Sequence, residues 1–243
     1  MSDAVLAALD CGTNSTRLLI ETAGGKVLAR EMRITRLGQG VDATGRLADE
    51  AVERTLSVLR TYRELMDGAG VSEGRLVATS AARDAANGPA FLVEASTTTG
   101  VTAEILTGDE EGELSFNGAT ADLEPALGDD VVLDIGGGST ELVLRRGPTL
   151  FAHSMQVGCV RVTERVLTSD PPTPAELESA RVMVGEALDR AFVAIPALSE
   201  LHEASRLIGL AGTVATLVMI DRQLVDYDRR LVHHHWLSLE AIR

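Results

Sequence analysis

Val131-Val132-Leu133-Asp134-Ile135-Gly136-Gly137-Gly138-Ser139-Thr140-Glu141-Leu142-Val143-Leu144 is the stretch whose reading fixes the architecture. Val131 to Leu133 reads as a buried strand and Leu142 to Leu144 as its hairpin partner, because short apolar runs bounded by glycine mark core strands. The turn between them, Asp134 to Glu141, holds an acid, three glycines, two hydroxyls and a second acid. Glycine allows positive φ and lets backbone N–H groups come close to a ligand, so this turn suits a phosphate.

A weaker copy opens the chain. Val5 to Leu9 runs into Asp10-Cys11-Gly12-Thr13-Asn14-Ser15-Thr16 and then Arg17 to Ile20, giving strand, acidic glycine and hydroxyl loop, strand once more. A tight structural hairpin would account for the N-terminal loop alone. Two such loops half a chain apart predict two lobes on one plan, residues 1–123 and 124–243, each offering a phosphate loop to the cleft between them. The irregular stretch Leu123 to Asp130 marks the boundary.

Composition narrows the class. With 243 residues there is room for one large domain or two ordinary ones. An apolar share of 45% and a charged share of 24% fit a soluble globular protein. Aromatics at 3% leave Val, Leu, Ala and Ile to fill the core, which suits parallel or mixed sheets covered by helices. No apolar run approaches the roughly 20 residues of a membrane span, and the N-terminus lacks a secretion pattern, so no membrane association and a cytoplasmic location are expected. Cys11 and Cys159 lack disulfide or metal-ligand spacing and read as small apolar filler.

A net charge of -14 argues against nucleic-acid partners. An anionic substrate is compatible with that charge if loop N–H groups, a few arginines and a divalent cation do the binding, with cleft carboxylates holding the metal.

Along the chain, strands are expected at 5–9, 17–21 and 27–34, with Gly24-Gly25 as a hairpin turn and Leu37-Gly38-Gln39-Gly40 as a loop. Val52, Leu56, Leu59, Tyr62 or Arg63, and Met66 recur at helical spacing from Asp49 to Met66, with Asp67-Gly68 closing the helix. A strand at 76–78, a helix near 89–96, a strand at 103–106 and a helix from Gly108 follow. In the second half, strands at 131–134, 141–145 and 149–156 precede a long helix from Ala175. A strand at 206–210 then enters a helix through Val218. The pattern is α/β.

Three further constellations carry chemistry. Thr107-Gly108-Asp109-Glu110-Glu111-Gly112-Glu113 sets four carboxylates at a helix start, where acids also serve as simple dipole and capping partners. Beside a phosphate loop, one of them can act as a base toward water, its pKa raised by its neighbours. Arg83, after a strand end, can grip a phosphate bidentately or form a surface ion pair. Ala211-Gly212-Thr213 is a strand-to-helix junction suited to an anion. His233-His234-His235 reads as structural or peripheral rather than metal-binding, since adjacent side chains are expected to point apart.

Six motifs in order, Asp10 to Ser15, Thr79 to Arg83, Gly108 to Gly112, Asp134 to Glu141, Val157 to Arg161 and Gly209 to Thr213, resemble the exopolyphosphatase and guanosine pentaphosphate phosphohydrolase (Ppx/GppA) family. The resemblance implies a two-lobed actin-like, hexokinase-like (ribonuclease H-like) fold and removal of terminal phosphate from inorganic polyphosphate or pppGpp, commonly with Mg2+. It implies Glu111 as catalytic base, Glu141 as a second essential carboxylate, and Asp134 with Glu141 at the metal. Asp10, Thr13, Asn14, Ser15, Arg83, Gly136, Gly137, Gly138, Ser139, Gly212 and Thr213 match phosphate- or cofactor-binding positions. Penta- or tetraphosphate nucleotides and polyphosphate are the implied ligands, and a homodimer the implied assembly.

Gly112 departs from the family pattern, which often has alanine there, and family members usually continue into further helices beyond Trp236. A short natural form, a truncated chain or an incomplete one would each explain that. An ATP-dependent kinase on the same fold, or a non-catalytic polyphosphate or alarmone sensor, are the alternative functions.

Overall fold

The computed structural model describes residues 4–124 and 126–243. Two mixed sheets carry the architecture. In the first, β1 (Val5–Cys11), β2 (Ser15–Thr22) and β3 (Val27–Ile34) form an antiparallel meander. It is followed by α1 (Val41–Thr44), α2 (Asp49–Ala69), β4 (Glu73–Ala78), α3 (Ser80–Asp84), α4 (Gly88–Thr99) and β5 (Ala103–Ile105). The strand order is β3-β2-β1-β4-β5, with β4 parallel to β1 and β5 parallel to β4.

Helix α5 (Gly108–Thr120) leads on to a second meander of β6 (Asp130–Ile135), β7 (Thr140–Arg146) and β8 (Thr149–Met155). Then come α6 (Cys159–Val166), α7 (Pro174–Ala194), β9 (Arg206–Leu210), α8 (Ala211–Asp221), α9 (Arg229–Val232) and α10 (Leu239–Ile242). The order β8-β7-β6-β9, with β9 parallel to β6, repeats β3-β2-β1-β4. The expected duplicated α/β plan is therefore present.

The two loops also match in detail. In each, a glycine N–H donates to the carbonyl of the serine three residues on, over 3.0 Å from Gly12 to Ser15 and 3.1 Å from Gly136 to Ser139. Asp10 then pairs across its hairpin with Arg17, whereas Asp134 pairs with Glu141. One half thus carries a cation where the other carries an acid.

Helix α2 buries Leu56, Leu59, Tyr62 and Met66 against the first sheet, as their spacing predicts. The buried Tyr62 hydroxyl donates to the Thr16 carbonyl at 2.9 Å. The helix runs past Gly68 and ends at Gly70, which takes the left-handed cap at φ 69 and donates its N–H to the Asp67 carbonyl.

The second sheet is covered on both faces. Ala187 and Ala191 of α7 pack with Leu142, Leu144 and Met155, while Phe116 of α5 packs with Val132 and Val143. Central strand β7 is accordingly buried from Thr140 to Leu144. Helix α5 follows the first sheet in sequence yet rests on the second. A Cβ at Gly112 would stand 3.0 Å from Val143 Cγ2, so the glycine sets that close approach.

One expectation is corrected. The rings of His233 and His234 do not point apart but stack with centroids 3.9 Å apart. His234 sits in the left-handed region at φ 58, which swings its side chain back over its neighbour. Among the described residues, no helix is long and apolar enough to cross a membrane.

Candidate active site

The carboxyl ends of the parallel strands carry the candidate site residues, where open α/β sheets generally place ligand groups. β1 runs into the Gly12 loop, β4 into α3 with Arg83, and β5 into α5 with Glu111. From the other sheet, β6 runs into the Gly136 loop and β9 into Ala211 to Thr213.

Asp134, Glu141 and Ser154 are direct partners across β6, β7 and β8, so their side chains form one rung on one face of the sheet. The Ser154 hydroxyl donates to Glu141 Oε1 at 2.7 Å. Helix α5 lies over this face. Its Ser115 hydroxyl donates to Asp134 Oδ2 at 2.5 Å, and Glu111, one turn earlier, shares that helical face. A capping box at Thr107 fixes the start of α5: the Thr107 hydroxyl accepts from the Glu110 N–H, and the Glu110 carboxylate accepts from the Thr107 N–H.

Arg83 closes the cluster. Its Nη1 donates to the Leu106 carbonyl at 2.9 Å and to Glu111 Oε2 at 3.3 Å. Nη2 is buried and meets no hydrogen-bond partner among the described residues. A buried guanidinium N–H without an acceptor is costly, and an oxyanion would satisfy it.

Negative charge is in excess here. Burial, then the charge of Glu141, pushes the Glu111 carboxyl up to about 8, with Arg83 offsetting only part. Burial likewise pushes Glu141 up to about 7 against the hydrogen bonds from Ser154 and Ser139. Asp10 is raised mainly by its depth in the protein, with Arg17 opposing and Asp134 reinforcing. It stays reachable, since 37% of its side chain is open.

The glycine loop is held from behind. Cys159 N–H donates to the Gly136 carbonyl at 3.0 Å, and the N–H groups of Val160 and Arg161 both donate to the Gly137 carbonyl, at 2.9 and 3.1 Å. Arg161 Nε donates to the Gly138 carbonyl at 2.7 Å. The loop carbonyls are thus consumed by α6. Among the described residues, the N–H groups of Thr13, Asn14, Gly137 and Gly138 meet no acceptor.

The loops also touch one another. A Cβ at Gly138 would lie 2.6 Å from Ser80 Oγ and 2.8 Å from Thr13 Oγ1, and those two hydroxyls are hydrogen-bonded at 2.8 Å. Arg161 extends the contact. Its Nη1 donates to Asp42 at 2.5 Å and its Nη2 to Asp84, while Arg165 Nη2 donates to Asp42 at 2.6 Å. The Arg165 hydrogen bond, with Arg161 beside it, holds the Asp42 carboxyl below the ordinary aspartate range.

A model of the Ppx/GppA phosphatase family matches residues 19–239. The chain belongs to the Ppx/GppA phosphatase family. It is 45% identical over 240 residues to exopolyphosphatase 2 of Mycobacterium tuberculosis, covering 94% of this chain and 74% of that protein. The crystal structure of an exopolyphosphatase-like protein superposes with a TM-score of 0.91 at 40% identity, covering 98% of this chain and 76% of that one. The PPX-GPPA enzyme of Aquifex aeolicus gives a TM-score of 0.77 at 32% identity, covering 98% and 78%.

In this Ppx/GppA chain, Glu111, Glu141, Asp134 and Arg83 come together as a linked cluster, with Asp10 close enough to feel the charge of Asp134. Asn14 and Ser15 shape their loop through the backbone: the Asn14 carbonyl accepts from Thr35 and Arg36, the Ser15 carbonyl from Gly12. Gly212 and Thr213 follow Leu210, which pairs with Asp134, so they lie at the same sheet end. The Thr213 hydroxyl is buried and has no partner among the described residues. No local sequence pattern marks a role for Arg161, Ser115, Ser154, Asp42 or Asp84. Arg161 lies inside the Val157 to Arg161 motif, the one signal that could find it.

Proposed function

We propose that the cleft hydrolyses the terminal phosphoanhydride of inorganic polyphosphate or of guanosine pentaphosphate. The observation that carries this reading is the pairing of Arg83, with its unpartnered Nη2, to Glu111, whose carboxyl is pushed up to about 8. A terminal phosphate oxygen is the natural acceptor for Nη2, and the unpartnered loop N–H groups suit the remaining oxygens. Glu111 then takes a proton from water as the water oxygen bonds to phosphorus. The bond from phosphorus to the bridging oxygen breaks, and the shortened chain leaves with that oxygen.

Asp134 and Glu141, an all-oxygen set, fit a hard divalent cation, Mg2+ in this reading. Their surplus negative charge supports the fit. When bound, the cation supplies neutralisation of phosphate charge. Mg2+ keeps several waters and shares substrate phosphates, so two protein carboxylates suffice to hold it.

Polyphosphate as substrate is supported by the name of the Mycobacterium tuberculosis relative, and pppGpp by the resemblance of the six motifs to guanosine pentaphosphate phosphohydrolases. Residues 1–123 and 124–243 act as the two lobes, with α5 reaching from the first onto the second. The reading includes a cytoplasmic homodimer, which gel filtration checks for assembly. Phosphate release from short polyphosphate, long polyphosphate, pppGpp and ATP, with and without Mg2+, tests the activity. Mg2+-dependent release from polyphosphate or pppGpp, exceeding that from ATP, is the expected result. No release from any of the four overturns the reading.

A further inference from the structure

The segment after α8 turns back to meet the residues that follow α5. The Asp228 carboxylate caps α9, the His233 N–H donates to the Arg229 carbonyl at 2.8 Å, and His234 takes its left-handed backbone. A non-glycine residue held there is disfavoured by roughly 1 kcal/mol, and what it achieves is the stacking of two imidazoles. Both rings aim Nε2 at one side chain, that of Asp122. His233 Nε2 is 3.3 Å from Oδ2 and His234 Nε2 is 3.3 Å from Oδ1.

Only the His233 contact is a hydrogen bond, and at 3.3 Å both distances lie at the long end for nitrogen and a carboxylate. They fit another role. A tetrahedral Zn2+ with ligands at about 2.0–2.1 Å sets neighbouring donor atoms about 3.4 Å apart. One donor atom from each of the three residues lies within 4.8 Å of the other two, close enough to share one ion. Two imidazole nitrogens and a carboxylate, with further positions open to water, form the donor set of a late first-row ion rather than of Mg2+. The site is separate from the cleft, because Asp122 follows the end of α5 at Thr120, which is nine residues beyond Glu111 and so roughly 14 Å along the helix at 1.5 Å per residue.

We propose that Asp122, His233 and His234 bind a late first-row divalent metal ion such as Zn2+, which clasps the segment after α9 to the end of α5. The ion holds structure and takes no part in hydrolysis. Untagged, metal-stripped protein titrated with ZnCl2 by calorimetry is expected to bind one Zn2+ that excess Mg2+ does not displace. The melting temperature should rise with the logarithm of free Zn2+.

His234→Gly is the informative variant, because glycine accepts the left-handed backbone and the fold is kept. Both His234→Gly and Asp122→Asn should lose this Zn2+ and its thermal shift while releasing phosphate at the wild-type rate in Mg2+. Glu141→Gln should retain the Zn2+. Failure of wild-type protein to bind, unchanged binding in His234→Gly and Asp122→Asn, or loss of binding in Glu141→Gln would each overturn the clasp.

Discussion

Replacing Glu111 with glutamine separates two consequences of its position. The amide keeps the size and can still accept from Arg83, yet it neither takes a proton nor carries charge. A glutamate moved from 4.5 to about 8 has had its ionisation disfavoured by about 5 kcal/mol. This is an upper bound on what one side chain contributes, because part of it is mutual repulsion with Glu141. The folded protein holds this proton more tightly than the unfolded chain does. Stability from this group is therefore full below about pH 4.5 and is lost as pH rises through about 8.

Glu111→Gln removes that loss. It should match wild type near pH 4.5 and exceed it by roughly 1–5 kcal/mol at pH 8.5, measured by urea unfolding in EDTA without phosphate. Phosphate release by the same variant should fall ~10²–10⁴-fold. A pH slope equal to that of wild type would refute the strained carboxyl. Wild-type turnover would refute the assignment of the base.

Two further substitutions address the scaffold and the anion grip. A Cβ at Gly158 would stand 2.5 Å from the Gly137 carbonyl carbon and oxygen, which are backbone and cannot yield. Gly158→Ala should therefore destabilise by about 1–3 kcal/mol in urea melts and reduce phosphate release, and a neutral result would contradict the tight seating of α6. Arg83→Lys keeps the charge but loses the planar fork. Phosphate release should fall ~10–100-fold with the melt almost unchanged, whereas full activity would show that bidentate geometry is not used.

Much of this was legible in the sequence because it rests on local pattern. The DIGGGSTE turn between apolar runs fixes the β6–β7 hairpin, and from its register the pairing of Asp134 with Glu141 follows. Helix α2 carries its own period. Helix α6 was not legible. It has eight residues, none fully buried, and Val160, Val162, Thr163 and Val166 are β-branched, which favours a strand reading. It is helical because its first N–H groups meet loop carbonyls more than 20 residues earlier in the chain.

Arg161 shows the same limit. Its partners Asp42 and Asp84 lie 119 and 77 residues away, so no spacing rule reaches them. Ser115 and Ser154 belong to no motif and acquire meaning only when α5 is laid over the acid rung. The stacking of His233 on His234 depends on one backbone angle, which sequence does not display.

The grip of α6 on the glycine loop has an electrical consequence. Three glycines in a row leave each peptide plane free to flip, and one flip would turn a donor facing the proposed phosphate into an acceptor, converting attraction to repulsion without moving a side chain. Four hydrogen bonds from α6 to the carbonyls of Gly136, Gly137 and Gly138 comb these planes into one direction. The loop's polarity is therefore written in Cys159, Val160 and Arg161. Residues behind the cleft decide the sign of the field in front of it.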